Sequence, residues 1–84
     1  MDVQRIQFEV PENRVEELEK LMKKAGIATK KELLNNALSL FEWVVQERER
    51  GHTIASVDEE EKRYKELVMP VFSNIRLLER ASAE

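Results

Sequence analysis

No cysteine occurs in the chain, so no disulfide can brace it and no thiolate can hold a metal. That composition suits a reducing compartment. His52 is the only histidine, which excludes a histidine-built metal cluster unless copies of the chain meet at a symmetry axis. Gly26 and Gly51 are the only glycines, too few and too far apart for a glycine-rich phosphate loop. No apolar run approaches the roughly 20 residues that a membrane span requires. The start, Met1-Asp2-Val3-Gln4-Arg5, lacks the apolar stretch of a secretory signal, and a cytoplasmic location is expected. The carboxylates are spaced as on solvated helix faces and no serine or threonine has a catalytic context. No enzyme, no metal and no cofactor is therefore expected.

What is present is charge and helical periodicity. The net charge is −3 over 84 residues, which by itself argues against a general nucleic-acid binder. Residues 1–51 are nearly balanced, with nine Lys+Arg against ten Asp+Glu, whereas 52–84 hold five against seven. A balanced segment can still bind a polyanion if its cations converge on one surface. The length is close to the limit at which one chain can bury a sufficient core, and with no disulfide or metal the remaining remedy is oligomerisation.

The stretch Arg5-Ile6-Gln7-Phe8-Glu9-Val10 alternates polar and apolar until Pro11 stops it. In a strand Ile6, Phe8 and Val10 share one face and Arg5, Gln7 and Glu9 the other. A lone strand leaves its backbone polar groups unpaired. The simplest partner is the same strand in a second copy, giving a two-stranded antiparallel ribbon and an obligate homodimer.

Two helices follow. The first is expected from about Glu12 to Ala25, with Pro11 at its start, acids near its N-terminus, and Lys20, Lys23 and Lys24 toward its end. Val15, Leu18, Met22 and Ala25 form its apolar stripe, widened by Leu21, and Gly26 is placed to end it in the left-handed conformation. The second opens on Thr29-Lys30-Lys31-Glu32, a capping box in which Thr29 caps the helix and Glu32 reaches back. It should run to about Arg48 or Arg50, closed by Gly51. Its apolar residues, from Leu33 to Val45, cover more than one stripe, so two sides are expected to be buried, one of them against another subunit. Trp43 is expected to pack on the C-terminal segment or on a neighbouring subunit.

The last third divides from the rest at about Gly51, giving segments 1–51 and 52–84. Residues 52–57 read as a short extended piece, and His52, just after the helix-ending Gly51, as an exposed loop residue. Asp58 with Glu61 three residues on reads as the start of a third helix. Tyr64, Leu67, Val68, Val71, Phe72, Ile75 and Leu78 keep a helical period that Pro70 must break, giving one helix to about Val68 and another starting near Pro70. Residues 80–84 are expected to fray.

The order strand, Pro11, helix, Gly26, then Thr29-Lys30-Lys31-Glu32-Leu33 and Ala37-Leu38 resembles the ribbon-helix-helix DNA-binding proteins, the Arc-, MetJ- and CopG-like group. The resemblance covers residues 4 to about 48. It implies a mostly α homodimer whose ribbon enters the major groove of double-stranded DNA; the C-terminal helical extension expected from periodicity lies outside it. By position, Arg5, Gln7 and Glu9 would contact bases, while Ile6, Phe8 and Val10, with Leu34, Leu38 and Phe41, would form the dimer core. Thr29, Lys30 and Lys31 would hold phosphate at the start of the second helix.

The function expected is that of a sequence-specific transcriptional regulator, acting as a repressor on the nucleoid. Two alternatives compete. An antitoxin would use residues 52–84 to wrap a protein partner. A scaffold protein would use the ribbon only to dimerise, a reading motivated by Glu9 and Asp2 facing a polyanion. A dimer of dimers through Trp43 or the C-terminal segment is open.

Overall fold

The computed structural model describes residues 2–78. The chain is mostly helical, with helix α1 (Glu12–Ala25), helix α2 (Lys30–Glu49), and a small antiparallel sheet of β1 (Ala55–Asp58) and β2 (Arg63–Glu66). A 3-10 helix, Pro70–Asn74, follows. Two compact units are distinguished, residues 1–35 and 36–84.

In the first unit, residues 2–10 form neither helix nor strand. The Pro11 carbonyl accepts the Arg14 and Val15 amides at 2.9 and 3.0 Å, and α1 begins there without a side-chain cap. Val15, Leu18 and Met22 are the half-buried residues of α1, as their spacing predicts, whereas Leu21 is exposed. Gly26 ends the helix at φ 69°. Its amide donates to Lys23 O and the Ile27 amide to Met22 O, a Schellman arrangement that satisfies carbonyls the helix would otherwise leave open.

α2 opens as its sequence predicts. The Glu32 amide donates to Thr29 Oγ1 at 3.0 Å, and Glu32 Oε1 accepts the Ala28 amide at 3.3 Å. The reciprocal bond thus reaches one residue further back than in the standard capping box.

In the second unit, α2 ends on a second Schellman arrangement. Gly51 takes φ 78°, its amide donates to Arg48 O, and the His52 amide donates to Glu47 O. The following chain folds back on this helix end: the Leu78 amide donates to Glu49 O at 2.8 Å, and Arg48 stacks on Phe72. Val44 is the buried residue here, 5% exposed.

The expected third helix is absent. Residues 55–66 form a hairpin in the register Ala55–Glu66, Ser56–Lys65, Val57–Tyr64 and Asp58–Arg63. The bond that suggested a helix start does form, since Asp58 Oδ1 accepts the Glu61 amide at 3.2 Å. It caps a turn instead, with Lys62 in the left-handed region at φ 55°. An Asp three residues ahead of a free amide serves either structure. A helix cut short by Pro70 would be near or below the length that is stable alone, and its apolar residues are few before Leu67. Pairing Val57 with Tyr64 across two strands is a contact that β-branched and aromatic residues favour. Among the described residues the C-terminal extension is therefore a hairpin and one short 3-10 helix, with Pro70 at the first position of the latter, where its missing amide costs nothing. The expectation for residues 80–84 lies outside the described residues.

Candidate nucleic-acid interface

The residues expected to contact DNA all belong to the first unit. Arg5, Gln7 and Glu9 are exposed, and so are Ile6, Phe8 and Val10. The single chain thus buries neither face of the alternating segment. Thr29, Lys30 and Lys31 are brought together at the start of α2 and are exposed. Thr29 is committed to capping through its hydroxyl. Lys30 and Lys31 form no ion pair among the described residues, and their amides take no bond from the chain. The carboxylate of Glu32 sits at the same helix end, accepting the Ala28 amide. That negative charge complements the helix dipole and competes with any incoming anion.

Leu34, Leu38 and Phe41 are exposed, at spacings of four and three that align them along one side of α2. Trp43 is 48% exposed. Shallow grooves run beside α1; one is lined by Val10, Leu18 and Leu21 together with Arg14, Glu17, Lys20 and Lys24. Among the described residues no group of His, Cys, Asp or Glu could hold a metal, and no helix is long and apolar enough to cross a membrane.

Sequence reasoning missed one cluster, at the C-terminal end of α2. His52 Nδ1 lies 2.8 Å from Glu47 Oε1, and Arg48 Nη1 donates to His52 O at 3.1 Å. His52 is exposed but engaged. The glycine before it carried the signal, because a Schellman ending places the next residue over the last turn.

Comparison with protein-family models, with curated proteins and with solved structures finds no match to this chain.

Proposed function

We propose that the chain is a homodimeric DNA-binding regulator of ribbon-helix-helix type. The observation that carries this reading is the uncovered alternating segment ahead of two helices: Ile6 is 70% and Phe8 71% exposed, on a stretch with no backbone partner among the described residues. Full burial of side chains of this size stabilises by about 1.5–3 kcal/mol each. A second copy supplies both the missing strand and the missing core. Leu34, Leu38 and Phe41 add a further exposed apolar row that such a partner would cover.

In this arrangement two Arg5–Val10 segments pair antiparallel, with Ile6, Phe8 and Val10 turned inward. Arg5, Gln7 and Glu9 then stand on the outer face of a ribbon that the major groove admits. Arg5 is suited to guanine O6 and N7, Gln7 to adenine N6 and N7, and Glu9 to the cytosine amino group. Lys30 and Lys31, free of ion pairs, neutralise flanking phosphates. Occupying a promoter in this way represses it, and the protein would work on the nucleoid in the cytoplasm.

The test is fluorescence anisotropy of a labelled duplex from the gene's own upstream region against a random duplex, at rising salt. Preferential binding that weakens steeply with salt supports the reading. A folded dimer that binds neither duplex at low salt favours the scaffold alternative, in which Glu9 and Glu32 keep the polyanion away.

A protein-docking role for residues 52–78, as in an antitoxin, is favoured by a different observation. Val68, Leu77 and Leu78 are exposed in that segment.

A further inference from the structure

We propose that the outer edge of β1 is a second self-association surface, pairing antiparallel with β1 of another copy about a two-fold axis at Ala55. The argument rests on which backbone groups the hairpin leaves open and on what each edge would meet. The Leu67 amide donates to Ile54 O at 2.7 Å, extending the ladder one residue beyond the strands. In an antiparallel ladder both polar groups of a residue turn to the same side, and successive residues alternate. Ile54, Ser56 and Asp58 therefore turn toward β2. Thr53, Ala55 and Val57 turn their N–H and C=O groups outward. On the opposite edge, Tyr64 and Glu66 turn outward.

The two edges differ in what a second copy would find there. On β2, centring the pair on Lys65 sets Lys65 against the partner's Lys65. Centring on Tyr64 sets Arg63 against the partner's Lys65, and centring on Glu66 sets Glu66 against the partner's Glu66. Each of these three registers on β2 thus opposes like charges, the ordinary protection of a sheet edge. The β1 edge is uncharged from Thr53 to Val57, and Asp58 is the one charged residue of the strand. Centring on Ala55 pairs Ala55 with the partner's Ala55 and Thr53 with the partner's Val57, which uses every outward group of the three residues. It also sets His52 opposite the partner's Asp58. Shifting the centre to Ser56 or Val57 leaves the Thr53 groups facing turn residues.

The side chains agree with the backbone. Val57 and Tyr64 are opposite each other on one face of the hairpin, each 64% exposed. An isolated two-stranded sheet is marginal in water. The Ala55-centred register brings the Val57–Tyr64 faces of both copies to one side of a four-stranded sheet, with β-branched Thr53 and Val57 as cross-strand neighbours. This contact is independent of the N-terminal segment. Where that segment also dimerises, β1 pairing links dimers to one another, and DNA-bound dimers would be joined side by side.

The experiment is residue-resolved amide exchange on the full chain over a dilution series, with assembly mass from sedimentation velocity. Exchange at Ala55 and Val57 should slow as concentration rises, while Tyr64 and Glu66 stay fast. Val57→Lys, which charges the edge, and Ala55→Pro, which removes an outward donor and leaves the inner ladder intact, should each halve the largest assembly mass. Val57→Lys keeps the test valid if proline disrupts the hairpin. Exchange at Ala55 and Val57 that does not change with concentration overturns the proposal, as does a Val57→Lys protein of unaltered mass. Phe8→Asp separates this contact from the N-terminal ribbon: concentration-dependent protection at Ala55 and Val57 should survive it. If Phe8→Asp abolishes that protection, the N-terminal segment occupies the edge and β1 self-pairing is wrong.

Discussion

The guanidinium of Arg48 lies over the ring of Phe72, 4.9 Å from its centroid, and joins the end of α2 to the 3-10 helix. Arg48 Nη1 also donates to His52 O, whereas its Nε is buried with no hydrogen-bond partner. The ring and one carbonyl hold a cation whose one buried nitrogen, Nε, is unsatisfied. An exposed cation–π contact contributes about 0.5–1 kcal/mol, and a buried donor without a partner costs about 1–3 kcal/mol. The packing of Phe72 therefore outweighs the charge of Arg48. Phe72→Ala should lower stability by about 2 kcal/mol, short of the roughly 3–5 kcal/mol for a fully buried phenylalanine. Arg48→Met, which keeps the stem and removes both the charge and the orphan donor, should stay within about 1 kcal/mol of the parent. Urea denaturation at one fixed protein concentration compares them.

The two glycines offer a matched pair. Gly26 and Gly51 both end a helix at positive φ. A Cβ at Gly26 would meet nothing within 4 Å, and one at Gly51 would sit 3.8 Å from Leu77 Cδ2, an ordinary contact. Backbone strain alone should then set the cost of alanine, about 1–2 kcal/mol at each position. Gly26→Ala and Gly51→Ala should shift the thermal midpoint by similar amounts, and asparagine should recover part of the loss at both. A much larger effect at Gly51 would mean that Leu77 packs closer than the geometry indicates.

Both helices were legible because their ends are written in local chemistry. Thr29 with Glu32 and the glycines at 26 and 51 act within one turn, so their neighbours suffice to read them. The half-buried stripe of Val15, Leu18 and Met22 followed from spacing alone. The hairpin was not legible for the opposite reason. Its decisive contact joins Val57 to Tyr64, on the far side of an acidic turn, and Asp58 makes the same bond to the Glu61 amide in a turn as in a helix. The period from Tyr64 to Leu78 looked helical because the spacing of apolar residues in a partly covered, irregular segment is free to imitate one. The expected site residues split along the same line. Thr29, Lys30 and Lys31 are gathered by a helix start, whereas Arg5, Gln7 and Glu9 lie on a segment that forms neither helix nor strand in the single chain.

The Thr29 cap separates stability from binding. Replacing Thr29 by alanine removes the acceptor of the Glu32 amide and should cost about 1 kcal/mol. Glu32→Gln keeps a hydrogen-bonding oxygen for the Ala28 amide but removes the charge at the helix start. It should lower stability by less than Thr29→Ala. If phosphate is held at this helix end, Glu32→Gln should also tighten duplex binding, with the gain shrinking as salt rises. Thermal melts and anisotropy on the same two proteins distinguish the effects.

Lys30 and Lys31 test the electrostatics of the proposed interface most directly. Each phosphate neutralised releases counterions, so the logarithm of the binding constant falls with the logarithm of salt by about 0.9 for each contact. A dimer presents each lysine twice. Lys30→Ala should therefore reduce the slope by about 1.8 if both copies touch the backbone, and weaken specific and random duplexes alike. Arg5→Ala should behave differently, relaxing preference between sequences by roughly 1–3 kcal/mol at its base position while changing the slope little. Equal loss on all duplexes from both substitutions would mean that the N-terminal segment contributes charge without reading bases. An unchanged slope for Lys30→Ala and Lys31→Ala would move the phosphate contact away from the start of α2, where the Glu32 carboxylate already takes the place of an anion.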